Sequence, residues 1–143
     1  MEISRLGNNK NLGVVVDTNI LLYIYYGFDP FEKIIQFLDY KPTFYIPNVV
    51  IKELNKFLNS KSVLMSKKAN LALLYLDKYK TYWKNIDGYE NLRVDDALIN
   101  ICKYYNLFLF TNDTKLRYKA KREGVKVIYL RQKSKNIKVD III

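Results

Sequence analysis

A run of three consecutive valines constrains this fold more than any other feature of the chain. Residues 14–16 are β-branched and apolar at every position, so no alternation marks a solvent-facing side. Strands of this kind lie in the middle of parallel sheets, where helices cover both faces. The run ends at Asp17, and residues 20–26 are apolar enough for a helix that packs back on the sheet. We therefore predict that Asp17 lies at the carboxyl edge of a central strand, where open α/β sheets bind ligands.

Further strands and helices alternate along the rest of the chain. This order predicts an α/β fold of three layers, in which a twisted parallel sheet lies between helices and all strands end at one edge. The remaining predicted strands span residues 43–46, 107–110 and 125–129. The predicted helices span residues 31–38, 50–58, 62–83, 95–102 and 115–123, with a loop at residues 85–91.

The length of 143 residues fits one domain with a sizeable core. We place the domain at residues 13–132, after a lead-in of residues 1–12 that has no periodic pattern and is expected to be flexible. Residues 133–143 form a tail that is basic and then apolar. Two interpretations of this tail stay open, an extra edge strand and a contact with a partner.

Basic residues outnumber acidic residues by 24 to 14, which gives a net charge of +10. They concentrate between residues 114 and 138, where ten basic residues face one acid, Glu123. This basic stripe predicts a polyanionic partner, and nucleic acid is the obvious one. The alternative is a lysine-rich composition without such a ligand. The predicted contacts to RNA are Lys115, Arg117, Lys119, Lys121 and Arg122.

The cellular location is predicted from cysteine usage and hydropathy. Cys102 has no partner for an internal disulfide, which suits a reducing compartment, and we expect it in the core. The polar N-terminus does not resemble a signal peptide, and residues 20–26 are too few to span a bilayer. We expect a cytoplasmic protein that does not enter membranes.

Carboxylates follow the predicted strands or begin the predicted helices at the carboxyl edge of the sheet. Several carboxylates in one cleft raise one another's pKa, so a cation is expected between them. The chain has no His and one Cys, which favours an oxygen-ligated Mg²⁺ or Mn²⁺. A divalent ion beside a basic surface can hydrolyse a phosphodiester. The acids are Asp17, Glu53, Asp95, Asp96 and Asp113.

Three of these acids also have a simpler interpretation. Glu53 could pair with Lys52 or Lys56 on its own helix, and the Asp95–Asp96 pair could only stabilise a helix N-terminus. Within the pair, Asp95 shares a helix face with Leu98 and Cys102, whereas Asp96 points away from that face. We therefore predict Asp95 as the direct metal ligand and Asp96 as an outer ligand, a supporting group or a cap.

Four short motifs in order resemble those of the PIN domain. They are Val-Asp-Thr-Asn at residues 16–19, Glu53, Asp-Asp-Ala-Leu-Ile at residues 95–99, and Thr-Asn-Asp at residues 111–113, and the similarity covers about residues 13–130. The resemblance implies a five-stranded parallel sheet and a magnesium- or manganese-dependent endoribonuclease. It makes Asp17, Glu53, Asp113 and one of the two adjacent aspartates metal-site acids, with Asn19, Thr111 and Asn112 as supporting residues.

The resemblance leaves the biological role between two branches of the family. Toxins of toxin–antitoxin pairs (the VapC type) have this length and bind an antitoxin protein, whereas ribosome-processing members share the Asp-Asp and Thr-Asn-Asp motifs. The motifs favour rRNA processing slightly. The tyrosine- and lysine-rich segment at residues 62–83 matches neither branch, and a homodimer stays open.

Two functions of other classes were weighed against the nuclease. A catalytically inactive RNA-binding scaffold is disfavoured because all four acidic positions are filled. A phosphoacceptor receiver domain is disfavoured because Thr18-Asn19 follow the single acid of the first strand. The five glycines are scattered, so no phosphate-binding loop for ATP or NAD is predicted.

Overall fold

The computed structural model describes residues 12–133 and 136–142, with side chains described through Leu130, so the predicted lead-in lies almost wholly outside the described residues. Its sheet has the strand order β3-β2-β1-β4-β5-β6. The first five strands pair in parallel, which confirms the predicted α/β fold, and β6 pairs antiparallel with β5. The strands are β1 Gly13–Val16, β2 Thr43–Pro47, β3 Trp83–Ile86, β4 Phe108–Thr111, β5 Val127–Lys133 and β6 Asn136–Ile142.

Six α-helices connect these strands. The helices before β3 pack on one another at one face of the sheet, and the last two lie on the other face, as right-handed crossovers require. The helices are α1 Thr18–Leu22, α2 Pro30–Leu38, α3 Asn48–Leu58, α4 Val63–Lys78, α5 Val94–Tyr105 and α6 Thr114–Arg122. No helix in the described part of the chain is long and apolar enough to cross a membrane.

The three valines occupy the centre of the sheet, as their pattern predicts. Each is 0% exposed, and Val15 lies between Tyr45 of β2 and Leu109 of β4. The first residue of the strand, Gly13, is closely packed by neighbouring side chains, which would have to shift to admit a larger residue. A Cβ atom on Gly13 would lie 2.5 Å from Leu107 Cδ2 and 2.8 Å from a ring carbon of Tyr45. This packing holds β1 against both neighbours.

Two predicted helices end earlier than expected. The helix predicted at residues 20–26 is α1 followed by a 3-10 turn, Tyr23–Tyr26, which stops at Gly27 with φ 86°. The helix predicted at residues 62–83 ends at Lys78, and Trp83 begins β3 inside the region where a helix end and a loop were predicted. Trp83 continues the helical spacing of apolar residues although it lies beyond α4. Its indole Nε1 donates to the Leu76 carbonyl (2.8 Å), so the ring packs on the end of α4.

The C-terminal part of the chain extends the sheet. The fifth strand runs from Val127 to Lys133, later than the predicted residues 125–129. Of the two interpretations of the tail, the backbone shows the edge strand, since β6 pairs with β5 from Val127↔Ile142 to Lys133↔Asn136. This antiparallel strand covers the edge that β5 would otherwise expose.

Candidate active site

Asp17 is the most buried of the predicted site acids. It follows β1 at the carboxyl edge of the sheet and is 5% exposed. Its backbone carbonyl accepts from the N–H groups of Ile20 (3.1 Å) and Leu21 (3.4 Å), so its main chain begins α1 while its carboxylate makes no cap bond. Its backbone N–H donates to the Phe110 carbonyl of β4 (3.0 Å). Both contacts fix the position of a carboxylate that the helix does not use.

Thr111 links the first and last acids of the site. It is fully buried at the end of β4, and its hydroxyl donates to Asp17 Oδ2 at 2.8 Å. The same hydroxyl oxygen accepts from the backbone N–H of Asp113 at 3.0 Å. Both motifs that follow a buried strand are therefore joined through one side chain, in the supporting role predicted for Thr111.

Asp113 caps α6. Its Oδ1 accepts from the backbone N–H groups of Lys115 (2.9 Å) and Leu116 (3.2 Å). These bonds satisfy two donors that the first turn of a helix leaves unpaired. The second carboxylate oxygen, Oδ2, makes no hydrogen bond with any described residue. The side chain can therefore stabilise the helix and still offer one oxygen to the cleft.

The structure separates the two adjacent aspartates of α5. Desolvation, and after it the charge of Asp113, raises the pKa of Asp95. The charge of Asp95 in turn helps to raise the pKa of Asp17. Asp96 instead forms an ion pair with Lys119 of α6, and this hydrogen bond lowers the pKa of Asp96. This placement supports Asp95 as the inner acid, which stays a prediction about metal binding.

Glu53 is a further acid whose charge acts on Asp17. It lies half-buried in the second turn of α3, whose first residue follows β2 directly. Its charge also helps raise the pKa of Asp17. The predicted alternative pairings with Lys52 and Lys56 are not among the salt bridges of the described residues.

The electrostatics of Asp17 dominate the site. Burial, the largest cause, together with the charges of Asp95 and Glu53, raises the pKa of Asp17 to about 7 against the stabilising hydrogen bond from Thr111. The neighbouring Thr18 hydroxyl is buried and has no hydrogen-bond partner among the described residues. A carboxylate that is costly to ionise beside an unpaired hydroxyl is a fit for a hard, oxygen-seeking cation.

The fit of a divalent cation to this site depends on the oxygen donors and on the mutual repulsion of the acids. The side chains that the structure describes do not already surround a metal position. Among the described residues, no group of three or more His, Cys, Asp or Glu side chains is spaced to hold a metal ion as placed. Asp17 and Asp95, with Glu53 and Asp113 at their sides, are the groups that would hold Mg²⁺ or Mn²⁺. Asp96 is engaged with Lys119 and lies outside this set.

The other predicted supporting residues line a shallow cavity beside the acids. Asn19 and Asn112 both border a space of about 270 Å³ together with Tyr26, Met65 and Lys68. The Lys68 ammonium lies 4.8 Å from the centroid of the Tyr26 ring. Both residues therefore border this cavity, and their predicted supporting role stays a prediction.

A larger cavity of about 500 Å³ lies at the opposite edge of the sheet. It is lined by Cys102, Asn106 and Lys126 among others, and contains none of the predicted site residues. Burial raises the pKa of the Cys102 thiol to about 12, so this cysteine is an inert core residue, as predicted. The larger volume therefore does not mark the chemistry.

The predicted RNA-contacting residues of α6 have different surroundings. Lys115, Lys121 and Arg122 are exposed, whereas Lys119 is paired with Asp96 and Arg117 lies against aromatic rings. Side chains of the basic stripe beyond Leu130 lie outside the described residues. The five predicted RNA contacts thus form a mixed surface, in which Lys119 and Arg117 are already engaged.

Sequence reasoning missed three residues that the fold brings to this edge. Thr18 follows Asp17 directly, Arg93 lies before α5 and its charge partly offsets the rise in the pKa of Asp95, and Tyr129 lies in register with Thr111. Tyr129 could have been placed at this edge from sequence, because it is an aromatic residue near the end of the last parallel strand. The interaction of Arg93 with Asp95 depends on where the loop after β3 leads into α5. No local sequence pattern predicts that position.

Comparison with known proteins shows the family of this chain. The chain has a parallel α/β sheet with acids at its carboxyl edge. The model of the PIN like domain family matches residues 14–133. Ribonuclease VapC9 of Archaeoglobus fulgidus is 32% identical over 133 residues, 92% of this chain and 93% of the relative. Ribonuclease VapC4 of Methanocaldococcus jannaschii is 30% identical over 84% of this chain and 91% of the relative. The chain belongs to the PIN-domain ribonuclease family.

Solved structures show the same fold at lower sequence identity. The PIN domain endonuclease Utp24 superposes with a TM-score of 0.69 and 20% identity, covering 92% of each chain. The structure of VapBC2 from Rickettsia felis bound to a promoter DNA fragment matches with a TM-score of 0.50 and 20% identity, covering 75% of this chain and 92% of that one. These likenesses support the fold and carry no residue roles.

Proposed function

We propose that this protein is a divalent-metal-dependent endoribonuclease that works in the cytoplasm and uses Mg²⁺ or Mn²⁺. The observation that carries the proposal is Asp17, a buried carboxylate whose pKa is raised to about 7 by burial and by its acidic neighbours. Such an arrangement is costly without a cation to neutralise it. Both curated relatives are ribonucleases, which supports RNA as the substrate.

The chain's own residues would divide the work as follows. Asp17 and Asp95 would hold the ion, with Glu53 and Asp113 as further oxygen donors. When bound, the ion would polarise a phosphoryl oxygen and supply hydroxide from water at neutral pH. Thr111 keeps the Asp17 carboxylate in one orientation through its 2.8 Å hydrogen bond. Exposed Lys115, Lys121 and Arg122 attract the phosphate backbone.

The experiment that tests this proposal compares wild type with Asp17→Asn on a labelled single-stranded RNA. We expect Mg²⁺- or Mn²⁺-dependent cleavage by wild type, none in EDTA, and at least a 10³-fold loss in the variant, on the order expected when charge stabilisation is removed. RNA affinity should stay within about threefold, because phosphate contacts provide most of it. Wild-type cleavage by the variant would refute the metal site.

We infer a VapC-type role before an rRNA-processing role. The two curated relatives of at least 30% identity are both VapC ribonucleases, whereas the likeness to Utp24 is one of fold. An antitoxin would need an apolar surface, and α4 exposes Leu64, Leu71 and Leu74. Lys67 and Lys78 on the same helix would favour a partner segment that is apolar and acidic.

Expression and depletion distinguish these two roles. A toxin should arrest growth when expressed alone, and a co-expressed protein from the neighbouring gene should relieve the arrest. Leu71→Glu with Leu74→Glu should prevent that relief and leave cleavage intact, whereas Asp77→Asn on the same helix serves as the matched control. If depletion of the protein instead causes precursor rRNA to accumulate and expression does not arrest growth, the processing role is correct.

A further inference from the structure

Arg117 lies between two tyrosine rings on the surface of α6 and β5. Its guanidinium carbon is 4.6 Å from the ring centroid of Tyr118 and 4.1 Å from that of Tyr129. Tyr118 is 55% exposed, and Tyr129 is half-buried. The Tyr129 hydroxyl is also 3.1 Å from the Thr114 hydroxyl, which fixes the ring against α6. We refer to Tyr118, Arg117 and Tyr129 as the stacking platform.

The stacking platform lies beside the candidate active site. Tyr129 is in register with Thr111, the residue that holds Asp17. Arg117 begins the second turn of α6, since its backbone N–H donates to the Asp113 carbonyl at 2.9 Å. The platform is therefore one strand and one helical turn away from the acids, on the same edge of the sheet.

The chemistry of these three side chains suits a flat, uncharged group more than a phosphate. Tyrosine rings and guanidinium planes stack on nucleobases, and every base offers such a face. A base can reach them only when it is unpaired, because a duplex hides base faces inside its stack. Lys115, exposed on the same helix turn, provides the phosphate contact that such a strand also needs.

We propose that the stacking platform binds one unpaired nucleobase next to the scissile phosphate of a single-stranded RNA, with little sequence specificity at that base. This inference rests on the proposed ribonuclease function. It changes the role of Arg117 from the phosphate contact predicted from sequence to a stacking contact that two rings hold in place.

The test measures binding of a 12-nucleotide single-stranded RNA to Asp17→Asn protein, which prevents cleavage during the titration. Tyr118→Ala should weaken binding about tenfold, the range found when one stacked base loses its aromatic partner. The RNA is then prepared with an abasic residue at each position in turn. At the position that faces the platform, the abasic RNA should bind weakly to both proteins, so the effect of Tyr118→Ala disappears.

Tyr104→Ala is the matched control. Tyr104 is a tyrosine with 76% exposure that packs on Tyr105 near the end of α5, away from the acids. This variant should bind both RNAs like the parent. Arg117→Lys keeps the charge and loses the plane, so it should weaken binding severalfold while the slope of affinity against salt stays the same.

Three results would overturn the platform. Tyr118→Ala could behave like Tyr104→Ala, or it could weaken binding of intact and every abasic RNA equally, as expected for a change unrelated to stacking. Failure of the proposed function looks different, because wild type would then bind RNA in a base-dependent way without cleaving it. Cleavage that is unaffected by Tyr118→Ala and equal on duplex and single strand would leave the nuclease and refute the platform.

Discussion

The two strand ends that carry the Asp17 and Asp113 motifs look alike in sequence and differ in the structure. Each has a buried strand, then an aspartate, then a helix. Asp113 uses its carboxylate to cap α6, while Asp17 occupies the same position before α1 and makes no cap bond. The same local pattern therefore provides a helix cap at Asp113 and a buried carboxyl group that caps no helix at Asp17.

The first turn of each helix explains this difference. After Asp17, residues Thr18, Ile20 and Leu21 are all buried, so α1 encloses the carboxylate. After Asp113, Thr114 and Lys115 are exposed, which leaves the carboxylate at a solvated helix end. Burial favours the neutral form of an acid and so opposes helix capping by a charged group. The burial of the helix residues that follow, not the strand that precedes, therefore separates the two aspartates.

The largest expected effect is the pH dependence of the stability of the metal-free protein. The pKa of Asp17 is raised from 3.8 to about 7, so folding favours its protonated form. This contribution is present in full below pH 3.8 and is lost as the pH rises through about 7. At 1.36 kcal/mol for each pKa unit, the loss is at most about 4 kcal/mol.

Urea unfolding in EDTA at pH 5 and pH 8 measures this effect. Relative to Asp17→Asn, the free energy of unfolding of wild type should fall by up to about 3 kcal/mol between pH 5 and pH 8. The rest of the loss occurs below pH 5 and is not measured. Asp77→Asn, at an exposed site on α4, is the control and should follow wild type. Equal pH dependence in wild type and Asp17→Asn would show that folding does not raise the pKa of Asp17.

A second prediction concerns the acid between the two strand ends. Asp95 interacts with Asp17 and with Asp113, whereas Asp96 is bound to Lys119. We expect Asp95→Asn to reduce Mn²⁺-dependent turnover by more than about 100-fold, above the usual range for a supporting residue, and Asp96→Asn by about tenfold or less. Single-turnover cleavage with both variants checked for folding measures this. Equal losses would place both acids on the metal.

The fold was predictable wherever a strand is buried on both faces. The valines of β1 and the Leu107-Phe108-Leu109-Phe110 run have no solvent side, so their pattern is unambiguous. The strand β3 was missed because it lies at the sheet edge with Lys84 and Asn85 exposed, and because Trp83 continues the apolar spacing of α4 while its ring packs on that helix. Edge strands of four residues give too short a pattern to separate from a loop.

The proximity of the acids was predictable from sequence, whereas their electrostatics were not. Strand ends gather at one edge, so Asp17, Glu53, Asp95 and Asp113 could be placed near one another from topology alone. The pairing of Lys119 with Asp96 depends on how closely α5 and α6 pack, and local sequence does not encode this distance. The aromatic rings around Arg117 were hidden for the same reason, because one of them belongs to β5.

A third prediction removes the link between the two strand ends. Thr111→Val takes away the donor to Asp17 Oδ2 and the acceptor for the Asp113 N–H. We expect turnover to fall by 10- to 100-fold, the range known for groups that orient metal ligands. Thr111→Ser keeps the hydroxyl and should restore most of the activity. A valine variant with wild-type turnover would show that Asp17 needs no such support.

The smallest expected effect separates the two roles of Asp113. Asp113→Asn keeps a side-chain oxygen that can accept from Lys115 N–H and Leu116 N–H, so the cap and the free energy of unfolding should be nearly unchanged. Asp113→Ala removes the cap and should destabilise the protein by about 1 kcal/mol. Both variants lose the charge, so they should show the same loss of Mn²⁺-dependent turnover if the carboxylate serves the metal. Denaturant unfolding measured beside cleavage gives the two quantities independently, and an asparagine variant with full activity would assign Asp113 to the helix alone.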